Sequence, residues 1–154
     1  MSGVSVSGVQ ATIDELADEF ALLSDWEERI SHIMDLARSM APLPDAERID
    51  LNRVRGCVSQ VWLIAERRAD APGMLFFRGD SDAHLVRGEV AMLLRIFSGR
   101  SPQEILSVDA VAIFERLGLK DALTLQRSNG LHAMIKRIQQ HARDALADQN
   151  PAAS

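Results

Sequence analysis

The sequence predicts an α+β domain in which a small antiparallel sheet of about three strands packs with N-terminal and C-terminal helices. Two amphipathic helical patterns precede residue 41, β-rich runs occupy the region between residues 52 and 78, and helical patterns fill most of the remainder. Of the 154 residues, 47% are apolar and 25% are charged. This composition is typical of one globular domain that is large enough to bury a core.

Two capping boxes predict where the first two helices begin. In each box a hydroxyl side chain stands three residues before a glutamate, as Thr12 does before Glu15 and Ser24 before Glu27. Apolar residues then recur every three or four positions, which indicates one buried face per helix. Pro42 and Pro44 end the second helix, since proline lacks the N–H that the helix would use.

The sheet is predicted from two β-rich runs that flank a turn. Ser59 to Arg67 forms the first strand and Met74 to Arg78 the returning strand, with Ala69-Asp-Ala-Pro-Gly73 as turn chemistry between them. Asn52 to Arg55 is a candidate third strand, because a bare hairpin would be marginally stable. Gly79-Asp-Ser-Asp-Ala83 is predicted to end the sheet.

A central helix is predicted from Asp80 or Ser81, as its cap, to about Ser98. It is apolar nearly all round, which is typical of a helix buried in the middle of a fold. Gly99 follows in the position of a C-terminal cap.

Three further helices complete the predicted domain. Ser101 caps a short one, Asp109 begins the next, and Ser128 is a candidate cap for the last. The domain is predicted to span residues 11–148, between a flexible tail at residues 1–10 and a frayed end at residues 149–154.

Composition excludes several classes of function. The net charge of −5 argues against a nucleic-acid surface. A single cysteine permits no internal disulfide, zinc–thiolate site or self-contained iron–sulfur cluster. We therefore expect no metal and no bound cofactor. With no apolar run near the length of a membrane span and no secretory leader pattern, we expect a cytoplasmic protein that does not enter membranes.

The one cysteine, Cys57, is the candidate reactive group. It follows Gly56 at the start of the β-rich run, and Arg53 and Arg55 are close in sequence. Positive charge beside a thiol lowers its pKa and favours the thiolate, although a single cysteine is more commonly a buried, inert residue. None of the four histidines stands in a recognisable catalytic context, and no glycine-rich phosphate loop is present.

Six blocks of sequence, between residue 12 and about residue 146, resemble the SufE family. The most specific block is Gly-Cys-Val-Ser-Gln-Val-Trp, which ends at Trp62. The second most specific is Gly-Asp-Ser-Asp-Ala, which ends at Ala83. The others, in chain order, are Asp25-Trp-Glu27, Pro102-Gln-Glu-Ile105, Leu117-Gly-Leu119 and Arg127-Ser-Asn-Gly-Leu131 with Ala133-Met134.

The resemblance implies an α+β fold related to the IscU scaffold proteins and a role as a sulfur carrier. Cys57 would accept persulfide sulfur from a PLP-dependent cysteine desulfurase of the SufS or CsdA type, stimulating that enzyme. The chain would then relay the sulfur to a SufBCD-type scaffold for iron–sulfur cluster assembly. PLP belongs to the partner, and this chain would carry no cofactor of its own.

The resemblance also implies residues that support the Cys57 loop or contact the partner. We expect Gly56 to act as a pivot and Arg127 to shape the desulfurase contact, whereas Asp80 and Asp82 are predicted to be plain helix caps rather than tethers of the loop. The full supporting set is Arg55, Gly56, Ser59, Gln60, Asp80, Asp82 and Arg127.

Two other functions remain open from sequence. One is a thiol-redox or peroxide-sensing protein that uses Cys57 as an oxidisable thiol. The other is a non-catalytic regulator of a desulfurase, with Cys57 structural. A monomer and a weak homodimer are both compatible with the sequence.

Overall fold

The computed structural model describes the backbone of residues 2–119 and 125–149, and the side chains of residues 8–119 and 130–148. Within these residues six α-helices surround one two-stranded sheet, which confirms the predicted α+β class. Their bounds are α1 (Ser2–Ala21), α2 (Trp26–Ser39), β1 (Val61–Glu66), β2 (Phe76–Ser81), α3 (His84–Phe97), α4 (Pro102–Leu106), α5 (Ala110–Arg116) and α6 (Leu125–Gln149).

Helix α1 begins earlier than its capping box predicts. The backbone is helical from Ser2, with a break at Gly8 where φ is −27° and ψ is −127°. Thr12 therefore lies inside the helix, and its hydroxyl accepts a hydrogen bond from Arg100 Nη2 at 2.5 Å. The helix start predicted at Thr12 is wrong because the helical backbone continues before it, and the hydroxyl binds a tertiary partner instead of capping the helix.

The cap of α2 lies one residue after the predicted one. The Asp25 carboxylate accepts from the backbone N–H of Glu28 at 2.9 Å. Ser24 instead donates its hydroxyl and its N–H to the Glu28 carboxylate. The predicted cap at Ser24 is therefore wrong, and the capping position belongs to Asp25, whose carboxylate caps a helix as well as a serine hydroxyl does.

Strand β1 pairs with β2 in antiparallel register, with Val61 opposite Ser81 and Glu66 opposite Phe76. Strand β2 is longer than predicted, so the Gly79-Asp-Ser81 segment belongs to the sheet instead of ending it. A Cβ atom at Gly79 would lie 2.8 Å from Val90 Cγ1, so glycine lets the sheet pack closely on α3.

The predicted third strand is reduced to a single bridge between Arg53 and Trp62. Next to it, the N–H of Val54 donates to the Val61 carbonyl at 2.8 Å. A 3-10 turn at Asp50–Asn52 comes immediately before. The turn leaves too few extended residues for a third strand.

Helix α3 forms the centre of the fold, as predicted, and contacts α1, α2, β2 and α6. Its buried residues include Val90, Leu93, Ile96 and Phe97. The predicted cap at Ser101 is confirmed, since its hydroxyl accepts from Glu104 N–H. The next helix was predicted to begin at Asp109, which in the structure is its N-cap and accepts from Ala112 N–H.

Helix α6 begins at Leu125, before the predicted cap at Ser128, so that helix start is wrong. Residues 150–154, which include most of the predicted frayed end, lie outside the described part of the chain. Across the helices that are described, none combines the length and the apolar character that a membrane crossing needs.

Candidate functional site at Cys57

Cys57 lies in a six-residue loop, residues 55–60, which we call the cysteine loop. The hydrogen bond between Val54 N–H and the Val61 carbonyl closes the loop at its base. Gly56 has a φ of +93°, in the left-handed region that glycine adopts without strain. The turn at Gly56, before the chain enters β1, places Cys57 against α6, where a Cβ atom on Gly130 would lie 3.7 Å from Sγ.

Residues at the end of β2 hold the C-terminal end of the cysteine loop. The Asp82 carboxylate accepts from Gln60 N–H at 3.0 Å, and the Gln60 carbonyl accepts from Asp82 N–H at 3.3 Å. The Ser81 hydroxyl donates to the same carbonyl at 2.7 Å. Through these bonds the Gly-Asp-Ser-Asp-Ala block is physically connected to the cysteine block.

Arg137, on α6, holds the chain that enters the cysteine loop. Its guanidinium donates to the Leu51 carbonyl at 2.8 Å and to the Arg53 carbonyl at 3.0 Å. No sequence pattern pointed to this role, because Arg137 lies more than 80 positions away in a long helix.

The half-buried Cys57 faces a cavity of about 210 Å³ between α3 and α6. Its thiol donates a weak hydrogen bond to the Gly130 carbonyl, with 3.6 Å between sulfur and oxygen. The cavity wall is mostly apolar, with Leu85, Val86 and Glu89 from α3, Gly130, Leu131 and Met134 from α6, and Val58 and Ser59 from the cysteine loop. This wall shields part of the sulfur atom from water.

Burial raises the pKa of the Cys57 thiol, and the negative charge of Glu89 raises it further. Arg53 acts in the opposite direction but does not reverse the shift. Arg55 is exposed. Arg53 thus acts in the predicted direction, towards the thiolate, but burial outweighs its effect and the net shift of the Cys57 pKa is upward.

Asp80 forms a buried ionic centre instead of a helix cap. Its side chain is 1% exposed. It accepts from Leu43 N–H at 2.9 Å, from Arg48 at 2.8 Å and from Arg87 at 2.6 Å. Burial alone would raise the pKa of Asp80, but these hydrogen bonds outweigh it and lower the pKa.

The N-cap position of α3 is occupied by Ala83, so the predicted caps at Asp80 and Asp82 are both wrong. The Ser81 hydroxyl comes nearest to a capping role, since it accepts from Ala83 N–H at 3.2 Å. The aspartates have stronger partners elsewhere: two arginines for Asp80 and the backbone of Gln60 for Asp82.

The structure brings together most of the predicted supporting residues. Ser59 lines the cavity, Gly56 and Gln60 shape the cysteine loop, and Arg55 lies on its exposed side. Arg127 falls within the first turns of α6, but its side chain lies outside the described residues.

The described cavity wall contains no histidine. Among the described residues, no group of three histidine, cysteine or acidic side chains is placed to hold a metal ion.

Sequence reasoning missed Glu89 as a residue of the cavity wall. It lies in a mostly apolar helix, and the apolar periodicity of that helix predicts only structural residues.

Exposed apolar side chains stand beside the cysteine. Val58, the next residue, is 77% exposed, and Leu51 before the loop is 79% exposed. Exposed apolar residues that lie close together are typical of a surface that a partner covers. Both residues are close to Cys57 in sequence, one within the cysteine loop and one just before it.

Replacing Gly56 with alanine is expected to destabilise the protein by about 1–2 kcal/mol, because a non-glycine residue is strained at positive φ. The new Cβ would also lie 3.3 Å from Ala133 Cβ, on the helix against which the loop rests. We expect the loop to leave its position and Cys57 to react faster with iodoacetamide, measured by intact mass.

Gly73→Ala is the matched control, since Gly73 has a φ of +83° and open space around its Cβ position. It carries the same backbone strain far from the cysteine loop. Equal alkylation rates in the two variants would contradict the role of Gly56 in seating the loop.

A sequence model of the Fe-S metabolism associated domain, SufE, matches residues 14–142 of the chain. An uncharacterised SufE-like protein of Rhizobium meliloti is 43% identical over 136 residues, covering 88% of this chain and 97% of that protein. A second, from Rhizobium etli, is 42% identical over 134 residues, covering 86% and 90%.

Among solved structures, the solution structure of a hypothetical protein from Thermus thermophilus superposes with a TM-score of 0.71. It covers 88% of this chain and 96% of its own, at 24% identity. That likeness supports the fold.

Proposed function

The chain belongs to the SufE family, and from this premise we propose that it accepts persulfide sulfur from a cysteine desulfurase on Cys57 and relays it for iron–sulfur cluster assembly. The observation that carries the proposal is the placement of the chain's one thiol. Cys57 lies on a loop held at both ends, faces an apolar cavity, and adjoins an exposed apolar surface.

The transfer is a thiol–persulfide exchange. The Cys57 thiolate attacks the outer sulfur of the donor persulfide, forming a new S–S bond while the bond to the donor cysteine breaks. The donor leaves as a thiolate and takes up the proton that Cys57 lost, so no external oxidant or reductant is needed. A second exchange hands the outer sulfur to a recipient, which we propose is a SufBCD-type scaffold.

The resting geometry supports the interval between the two exchanges, when Cys57 must be protected from solvent. In the cavity the raised pKa keeps Cys57 protonated and poorly nucleophilic, and the apolar wall limits access by oxidants. Attack on a partner's persulfide requires the loop to extend. The exposed Val58 and Leu51 offer the apolar contact that a desulfurase would use to receive it.

A peroxide sensor needs a thiol of low pKa that solvent reaches readily. The raised pKa and partial burial of Cys57 argue against that alternative. The purely regulatory alternative differs from the sulfur-acceptor proposal in one respect, since it needs no chemistry at Cys57.

The proposed function is tested by the turnover of a PLP-dependent cysteine desulfurase of the SufS type with L-cysteine. A sulfur acceptor frees the desulfurase cysteine after each cycle, so alanine production is expected to rise severalfold and to saturate with added chain. Unchanged turnover with both SufS-type and CsdA-type enzymes would contradict the acceptor role.

A further inference from the structure

Arg137 on α6 uses all three nitrogens of its guanidinium at the base of the cysteine loop. Nη1 donates to the Arg53 carbonyl at 3.0 Å and Nη2 to the Leu51 carbonyl at 2.8 Å. Nε donates to Nε2 of His141, one turn further along α6, at 3.3 Å. The guanidinium is planar and rigid, so an acceptor at Nε fixes the plane in which the other two nitrogens lie.

The chain that enters the cysteine loop, residues 50–54, is held from two sides, and we call it the entry segment. Three successive backbone N–H groups, from Asn52 to Val54, donate to backbone carbonyls, while Arg137 binds two carbonyls of the segment. The thiol of Cys57, by contrast, is held by one weak hydrogen bond. A loop that extends towards a partner needs an end that stays in place, and the entry segment has the bonds for that.

His141 can bind Arg137 in this way only as a neutral imidazole. A guanidinium has donors and no acceptor, so Nε2 of His141 must present its lone pair and the ring proton must be on Nδ1. Burial and the positive charge of Arg137 lower the pKa of His141, while the exposed Asp144 acts in the opposite direction. From β2 the uncharged ring of Phe77 faces it, with 6.2 Å between ring centroids. The surroundings therefore favour the accepting form.

The charges on the neighbouring elements are bound elsewhere or do not set this shift. The entry segment and the two strands carry five charged side chains, namely Asp50, Arg53, Glu66, Arg78 and Asp80. Glu66 pairs with Arg78, and Asp80 pairs with two arginines of its own. The shift of the His141 pKa comes from burial and from the two charged groups on α6 instead.

We propose that His141 is a positioning residue for sulfur transfer: it orients the Arg137 guanidinium, which fixes the entry segment as the stationary end of the cysteine loop. The inference rests on the proposed function, because a stationary end matters only where the loop extends to a partner. His141 acts through Arg137 and not on the sulfur.

The first test is hydrogen exchange of the backbone N–H groups of Asn52, Arg53 and Val54, which reports opening of the entry segment. His141→Phe keeps an aromatic ring but has no acceptor, so exchange is expected to be about threefold to tenfold faster than in the wild type. His141→Gln brings an amide oxygen near the position of Nε2 and should return exchange to within about twofold of the wild-type rate. Equal exchange in the wild type and His141→Phe would overturn the proposal, as would exchange in His141→Gln that is as fast as in His141→Phe.

A double-mutant cycle with Arg137→Met shows whether His141 acts through Arg137. In the Arg137→Met background, His141→Phe should not speed exchange further, because the guanidinium that the imidazole orients is gone. An effect of His141→Phe that is equally large with and without Arg137 would overturn the proposal, since the ring would then contribute packing alone.

The wild type provides a test that needs no substitution. Protonation of His141 removes the acceptor and places a second positive charge beside Arg137. The hydrogen bond is therefore complete above the ordinary histidine pKa and is lost as the pH falls through the lowered folded-state pKa. Protection of the three amides, corrected for intrinsic exchange, should fall together with the protonation of His141 followed by NMR, and should not do so in His141→Gln. Protection that is independent of His141 protonation would contradict the proposal.

Alkylation of Cys57 by iodoacetamide connects the entry segment to the cysteine loop. It should be severalfold faster in His141→Phe and close to the wild-type rate in His141→Gln. An unchanged rate in His141→Phe would overturn the proposal, because the entry segment would then not position the cysteine.

His132→Phe is the matched control, because His132 is an exposed histidine of the same helix. It should leave both amide exchange and alkylation unchanged. None of these measurements uses a desulfurase. The His141 proposal can therefore fail while sulfur acceptance at Cys57 stands, and sulfur acceptance can fail while the effects of His141 are observed.

Discussion

Replacement of Cys57 by serine is expected to abolish the stimulation of desulfurase turnover while leaving the fold intact. A serine hydroxyl is not ionised near neutral pH and cannot take sulfur from a persulfide by exchange. The substitution is close to isosteric, and the hydroxyl can donate to the Gly130 carbonyl as the thiol does. Thermal unfolding should therefore shift by no more than a few degrees.

The matched control is Ser39→Ala, which removes an exposed hydroxyl that donates only to the Leu36 carbonyl within its own helix. It should stimulate turnover as the wild type does. Full stimulation by Cys57→Ser would contradict the acceptor role and would favour a regulatory partner in which Cys57 is structural.

Replacement of Asp80 by alanine is expected to destabilise the protein by about 3 kcal/mol, measured as the free energy of unfolding in urea. The change leaves the largely buried guanidinium of Arg87 without its carboxylate, although it still donates to the Ala37 and Met40 carbonyls. It also removes the acceptor for Leu43 N–H. These contacts fix the chain after α2 against β2.

The pH dependence gives a second signature of Asp80. Because its pKa is lowered in the folded protein, the stabilisation is complete above the ordinary carboxyl pKa. It is lost as the pH falls through the lowered folded-state pKa. The acid-induced loss of stability should therefore be shallower in Asp80→Ala than in the wild type.

Asp35→Asn is the control for Asp80, since Asp35 pairs with Arg38 on the surface and both side chains are more than half exposed. Such a pair contributes about 0–1 kcal/mol. An Asp80→Ala protein that lost no more stability than Asp35→Asn would contradict the structural role assigned to Asp80.

Local signals in the sequence predicted much of this fold. The predicted cap at Ser101 is confirmed because its partner, the N–H of Glu104, lies three residues away in the same chain. The predictions at Thr12 and Asp80 failed because arginines far away in sequence took those side chains. A capping pattern is reliable only where no stronger tertiary partner competes for the same group.

The site shows the same division between local and tertiary information. The position of Cys57 on a glycine turn was readable from the sequence, whereas the upward shift of its pKa was not, because burial, the largest cause of that shift, depends on tertiary packing. Arg137 and Glu89 reach the site from helices distant in sequence. Only the packing of α3 and α6 brings them beside Cys57.

The mass of the chain after incubation with a SufS-type desulfurase and L-cysteine tests the central claim most directly. We predict a single adduct of about 32 Da, one sulfur atom, on the peptide that contains Cys57, which a reducing thiol removes. An unmodified Cys57 under conditions in which the desulfurase carries its own persulfide would contradict the account.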